Sequence, residues 1–138
     1  MAKQIEGVYE RILECAKKEF LEKGYMDASL RTIASEAGTS TNSIYVRFQD
    51  KEGMFGAIVE PVAEEFMSRF INVQETFHSF DSDTQRSQVG QYSAGEMSKM
   101  VDYIYDHFDE FLLLLDASHG TRFQNFVDRL VSLPPAPQ

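Results

Sequence analysis

The stretch TSTNSIYVRF, residues 39–48, combines side chains that form hydrogen bonds with helical spacing. Ile44 and Phe48 are four residues apart, as on one face of an α-helix. If both face inward, a rotation of roughly 100° per residue places Asn42 and Val46 almost opposite them. The sequence therefore predicts a short helix that presents an amide and a methyl surface outward.

Those outward side chains suit the edges of DNA bases in the major groove. Asn42 can pair with adenine, Val46 can press on a thymine methyl group, and Ser43 can bond a base or a phosphate. Phosphates would be contacted by Thr41 in the first turn, by the Tyr45 hydroxyl, and by the charges of Arg47 and Lys51. From the residues alone a second interpretation stays open, in which these polar groups only cap a plain three-helix surface module.

Two further predicted helices position this segment. The first runs over residues 5–23, with Val8, Ile12, Ala16 and Phe20 at four-residue intervals, and ends at Gly24. A second helix starts after Ser29, with Leu30, Ile33, Ala34 and Ala37 inward, and Gly38 forms the turn to a third helix capped by Ser40. Two short helices joined at a glycine turn form a helix-turn-helix unit.

The rest of the chain is also predicted to be helical, which gives an all-α fold. Asp50 caps a fourth helix that reaches about His78, with a kink or a break at Pro61. Residues 79–88 are predicted to be a loop. Three helices follow over about 88–107, 108–117 and 121–133, of which the sixth is apolar all round and should be buried.

The net charge of −9 is unevenly distributed along the 138 residues. Residues 1–60 have a net charge of −2, whereas residues 61–138 have −7. DNA affinity comes largely from lysine and arginine, so the acidity argues against nucleic-acid binding mainly for the C-terminal part. A basic face on the N-terminal part remains compatible with these numbers.

The stretch 11–55 resembles the DNA-binding domain of the tetracycline-repressor (TetR) family of bacterial transcriptional regulators. The matching pieces are F..KGY at 20–25, S.R.IA..AG at 29–38, and S...IY..F..KE..F at 40–55. The resemblance implies an all-helical transcriptional repressor that binds operator DNA as a homodimer and leaves it when a small molecule binds the C-terminal domain. By position, its DNA contacts fall on Thr32, Thr41, Ser43, Tyr45 and Lys51.

The chain also departs from the family pattern. Thr41 stands where the family often has lysine, and Val46 and Arg47 stand where it often has histidine and tyrosine. Residues 108–131 resemble the sixth and seventh helices of some members more loosely. Members continue for two more helices that pair with a second subunit, and this chain lacks them, so we expect dimerisation through the remaining C-terminal helices.

The resemblance divides the chain into a helix-turn-helix domain (1–49), a sensor and dimerisation domain (50–133) and a tail (134–138). Aromatic and methionine side chains at helical spacing suit a pocket for an apolar or aromatic effector, although such a stripe also fits plain core. The candidate pocket residues are Phe66, Phe70, Met100, Tyr103, His107 and Phe111.

No catalytic constellation, metal-ligand spacing or phosphate-binding glycine loop stands out, so we expect neither an enzyme nor a cofactor or metal. A single cysteine, Cys15, and the lack of a signal core or a membrane-length apolar run predict a soluble cytoplasmic protein with no membrane partner. The alternative function is a helical interaction or small-molecule-binding module that has lost DNA binding.

Overall fold

The computed structural model describes residues 2–132, with side chains from residue 7 onward, and this part of the chain is helical without strands. The all-α prediction is therefore confirmed. The seven helices are α1 (Ala2–Asp27), α2 (Leu30–Ala37), α3 (Thr41–Phe48), α4 (Lys51–His78), α5 (Ser82–Asp106), α6 (Phe108–Asp116) and α7 (Phe126–Val131).

The first three helices begin and end close to the predicted residues. Ser29 and Ser40 are the N-caps of α2 and α3, and Gly38 ends α2 in the left-handed conformation, with φ 72°. Gly24 interrupts α1 with φ 78° and ψ 167°, but helical geometry resumes and continues to Asp27. A glycine adopts this backbone without the steric cost of a Cβ atom.

Helix α4 is continuous, so the predicted break at Pro61 does not occur. The Asp50 carboxylate caps its first turn by accepting the Gly53 N–H at 2.6 Å, and the helix extends to His78. Proline removes one backbone hydrogen bond, but the bonds on either side of it hold a 28-residue helix together.

The predicted loop over 79–88 is wrong, because α5 already begins at Ser82. Asp81 is its N-cap and accepts the Thr84 N–H at 2.7 Å. That hydrogen bond holds the pKa of the Asp81 carboxyl below its usual range. Residues 82–88 contain neither glycine nor proline, so their polar side chains form the solvent face of a helix instead of a loop.

Two predictions about the last helices are also corrected. Helix α6 buries Phe111, Leu113 and Leu114, but Leu115 is 55% exposed, so α6 is not buried all round. Helix α7 starts only at Phe126, because residues 121–125 form turns. The predicted helix end at residue 133 and the tail over 134–138 lie outside the described residues.

One hydrophobic core extends from Ile12 in α1 to Phe126 in α7. The Phe55 ring lies near its middle and contacts Phe20 at 5.1 Å, Tyr25 at 5.5 Å and Phe123 at 6.1 Å between ring centroids. The core therefore continues across the predicted boundary between residues 49 and 50, and that division remains a prediction. None of the helices described is long and apolar enough to cross a membrane.

Candidate nucleic-acid interface and ligand cavity

The turn between α2 and α3 is fixed by local hydrogen bonds. Ser29 accepts the Thr32 N–H at 3.2 Å, and Ser40 accepts the Ser43 N–H at 3.2 Å. After Gly38 reverses the chain, the Thr39 N–H donates to the Ala34 carbonyl at 2.9 Å. Each bond satisfies one of the free backbone groups at a helix end, and together they hold the two helices in a defined relative position.

Helix α3 has an inner face and an outer face, as its spacing predicts. Ile44 and Phe48 are buried, whereas Val46 is 73% exposed and Tyr45 is 50% exposed. Asn42 is exposed on the same helix. The amide, the phenol and the valine methyl groups are therefore available together to a partner in solution.

Ser43 and Arg47 are bonded to each other on α3. The Arg47 guanidinium Nη1 donates to the Ser43 hydroxyl and to the Ser43 carbonyl, the latter at 3.3 Å. This geometry holds the guanidinium along the helix, so the two side chains act as a pair. From the sequence alone, Ser43 and Arg47 are predicted to be two separate DNA contacts.

Lys51 is engaged within the protein. Its Nζ donates to the Met26 carbonyl at 3.2 Å and lies 5.0 Å from the centre of the Tyr25 ring. Its side chain therefore joins the start of α4 to the end of α1. Burial, followed by the nearby carboxylates of Glu52 and Asp50, raises the pKa of the Tyr25 phenol.

The remaining predicted contacts lie at helix N-termini. Thr32 in α2 and Thr41 in α3 are both half-buried. Arg31, one residue before Thr32, is exposed and was not among the predicted contacts. Its signal in the sequence is a cation in the first turn of α2, next to the Thr32 position that the family resemblance marks.

A two-residue connection, Gln49 and Asp50, joins α3 to α4. Gln49 has φ 72° and ψ −51°, and the Asp50 N–H donates to the Phe48 carbonyl at 2.9 Å. These values describe a γ-turn of the rare, strained form with positive φ. The end of α3 is thus bonded directly to the start of α4.

A cavity of about 430 Å³ lies between α4 and α5. Its lining is mostly apolar and aromatic, and Phe66, Phe70 and Met100 from the predicted set belong to it. This volume is typical of sites for small molecules. The cavity opens to solvent along α5, where Met97 is exposed.

The other three predicted pocket residues do not line this cavity. Tyr103 is buried, and its hydroxyl donates to the Val62 carbonyl at 3.5 Å. Burial, and then the Glu65 carboxylate, raises the pKa of that phenol. Phe111 packs in the core 5.1 Å from the Phe66 ring, and His107 ends α5 with its ring 4.5 Å from the ring of Tyr103.

The segment between α6 and α7 contacts the helix-turn-helix unit. The Tyr25 N–H donates to the Ala117 carbonyl at 3.0 Å. The Arg122 N–H donates to the Glu52 carboxylate at 3.0 Å, and its guanidinium pairs with Glu60. The segment between α6 and α7 therefore contacts both α1 and the first turns of α4. Among the side chains of residues 7–132, no group of three or more His, Cys, Asp or Glu is arranged to hold a metal ion.

Comparison with known proteins agrees with this geometry. The family profile described as "Bacterial regulatory proteins, tetR family" matches residues 12–58. The chain is 40% identical over 60 residues to "Uncharacterized HTH-type transcriptional regulator YvdT" of Bacillus subtilis (strain 168), covering 44% of this chain and 31% of that protein. It is 29% identical over 79 residues to "HTH-type transcriptional regulator SAUSA300_2515" of Staphylococcus aureus (strain USA300), covering 57% of this chain and 43% of the relative.

The chain thus spans less than half the length of either curated relative, and no solved structure matches it. The matched residues run from Ile12 in α1 to Ile58 in α4 and include the whole of α2, the glycine turn and α3. Residues 12–58 therefore match the tetR family of bacterial regulatory proteins, and the matched stretch contains the helix-turn-helix unit.

Proposed function

We propose that this protein is a transcriptional repressor that binds operator DNA through α3 and leaves it when a small molecule occupies the cavity between α4 and α5. The observation that carries the DNA part is the outer face of α3, where Asn42, Tyr45 and Val46 are exposed together on a helix fixed by caps at both ends of the turn. Side chains of these types read base edges and contact phosphates.

Each subunit of a homodimer would place one α3 in a major groove, at half-sites about one helical turn apart. Asn42 and Val46 would read bases, and Tyr45 would contact a phosphate. Ser43 with Arg47, Thr41 and Thr32 would flank them, and exposed Arg31 would add a cation. Lys51 would act mainly by holding α1 against α4, since its ammonium already has partners there.

The effector part rests on connectivity. The cavity is lined from α4, and only two residues separate the end of α3 from the start of that helix. An effector that binds one arrangement of α4 more tightly than another changes DNA affinity by its differential free energy, typically about 1–3 kcal/mol. We also propose that the protein acts in the cytoplasm, because its partner would be chromosomal operator DNA.

The experiment is selection of bound DNA from a random pool, followed by fluorescence anisotropy with the selected site. We expect Asn42→Ala to weaken binding to that site about tenfold and to relax base preference at one position, because an amide pairing with a base is lost. Tyr45→Phe should weaken binding to the selected site and to unrelated DNA by a similar factor. Val127→Ala, at another exposed position, is the matched control and should leave affinity unchanged.

Absence of any salt-sensitive DNA binding at low ionic strength would contradict the proposal. It would instead favour the alternative, a helical interaction module that has lost DNA binding. The net charge of −9 and the single cation on α3 are the observations that this alternative would then explain.

A further inference from the structure

The cavity between α4 and α5 carries a distinctive distribution of charge. Its polar lining consists of Gln74, His78, Ser93 and Glu96. Glu96 is the one carboxylate among the described residues that line it, and lysine and arginine are missing from that lining. A ligand that enters therefore meets apolar surface, hydrogen-bonding groups and one acidic side chain.

The Glu96 carboxylate forms only a weak ion pair, with Lys99. Lys99, three residues later on α5, lies 3.2 Å from it, and the Lys99 side chain is 73% exposed. The Glu96 side chain is 24% exposed, so it is the more enclosed member of the pair. Exposed pairs of this kind contribute little stability, so a cation entering from the cavity side can share or replace the lysine.

Aromatic rings form the wall near the end of α4 and the first half of α5. Phe77 and Tyr92 stack with centroids 5.8 Å apart and an interplanar angle of 24°. The Tyr92 hydroxyl donates to the Val73 carbonyl at 3.0 Å, so its hydrogen bond is already formed and its ring is what remains for a ligand. Ring faces attract organic cations, most strongly where water is partly excluded.

The surroundings have the same sign. Residues 61–138, which supply the whole lining, have a net charge of −7. A cleft with low-dielectric walls in an acidic domain concentrates cations and repels anions. The charge and the aromatic lining therefore favour the same class of molecule.

We propose that the cavity takes an organic cation with an apolar or aromatic body, its positive nitrogen near Glu96 and its body against Phe70, Phe77 and Met100. The inference rests on the proposed effector site and specifies its ligand class. Gln74 and Ser93 also line the cavity and can form hydrogen bonds with a ligand.

The test uses three probes that share a phenylalkyl body: the 4-phenylbutyl-trimethylammonium ion, its uncharged tert-butyl isostere, and 6-phenylhexanoate as an anion of similar length. Binding to the full chain is measured by isothermal titration calorimetry or ligand-observed NMR. We expect the cation to bind at least about fivefold more tightly than the isostere, and the anion more weakly than both.

Substitutions locate the effect. Glu96→Gln should remove most of the preference for the cation while leaving binding of the isostere unchanged, and Lys99→Gln should strengthen binding of the cation. Asp102→Asn is the matched control, because it makes the same charge change on the same helix at an exposed residue outside the lining. Phe70→Ala should weaken binding of the cation and binding of the isostere to a similar extent.

Equal binding of cation and isostere, unchanged by Glu96→Gln, would overturn this inference but leave an effector site in place. Binding of none of the probes would overturn both the inference and the effector part of the proposed function. DNA affinity measured without any probe tests the regulator separately, so the two failures are distinguishable.

Discussion

Glu19 joins two helices through a single buried carboxylate. Its side chain is almost fully enclosed, accepts the Ser29 N–H at 2.8 Å and pairs with Lys23 at 2.9 Å. Burial alone raises the pKa of this carboxyl, but the Ser29 hydrogen bond and the Lys23 ammonium outweigh it, so the net pKa is lowered. Because Ser29 also caps α2, Glu19 ties α1 to the start of the helix-turn-helix unit.

A lowered pKa in the folded state gives stability that is present above the ordinary value near 4.5 and is lost as the pH falls through the folded value. We expect Glu19→Gln to lower the free energy of unfolding by about 1–2 kcal/mol at pH 7. The difference from the parent should shrink as the pH falls below 4.5. Urea unfolding between pH 3 and pH 7 measures it, and a difference that stays constant over this range would contradict the assignment.

Among the helices, two glycines in different positions are expected to respond oppositely to substitution. Gly38 ends α2 with φ 72°, whereas Gly90 lies inside α5 with open space around the position of a Cβ atom. A side chain is strained at the first site and is free of contacts at the second. The backbone conformation, more than the residue type, therefore decides what a substitution does.

We expect Gly38→Ala to destabilise the protein by about 1 kcal/mol and Gly90→Ala to stabilise it by about 0.5–1 kcal/mol. Thermal and urea unfolding of the two variants give the comparison. A loss of stability for Gly90→Ala would show that α5 is not formed around that residue, and would restore a loop there.

How far the sequence predicts each element depends on how local its determinants are. Ser29, Ser40 and Asp50 cap helices by accepting N–H groups three residues later, so these starts are legible from short segments. Asp81 caps α5 in the same way, but the polar residues after it are equally typical of a loop. The exposure of Leu115 depends on which neighbours cover α6, and helical spacing carries no such information.

The candidate sites divide in the same manner. The exposure of Asn42 and Val46 follows from 100° per residue once Ile44 and Phe48 are placed inward. The contact between Lys51 and the Met26 carbonyl joins residues that are 25 positions apart in the sequence. The local sequence around either residue does not predict it. Phe111 and Phe70 are alike in type, but only the packing sends one into the core and the other to the cavity.

At the scale of the whole molecule, Phe123 connects the C-terminal segment to the helix-turn-helix unit. Its buried ring contacts Phe55, which itself contacts Phe20 in α1. The core is continuous through these three rings, so the described helices are expected to unfold in one cooperative transition.

We expect Phe123→Ala to lower the free energy of unfolding by about 3 kcal/mol, because a large buried ring is removed. Amide hydrogen exchange should show equal loss of protection in α1 and α6. Val127→Ala, at a half-exposed neighbour, should cost less than about 0.5 kcal/mol. Weakening of α6 with α1 unchanged would show two independently stable units.

The two-residue connection after α3 also has a mechanical meaning. Helix α4 has 28 residues and is about 42 Å long at 1.5 Å per residue. A tilt of one degree about its distal end displaces its first turn by roughly 0.7 Å, as the arc of a lever of that length. The connection between α3 and α4 is a short, strained γ-turn, so it can absorb little of such a displacement. We therefore expect α3 to move together with the first turn of α4. A tilt of α4 that is too small to alter the fold would therefore change the position of Asn42 and Val46 relative to a bound surface.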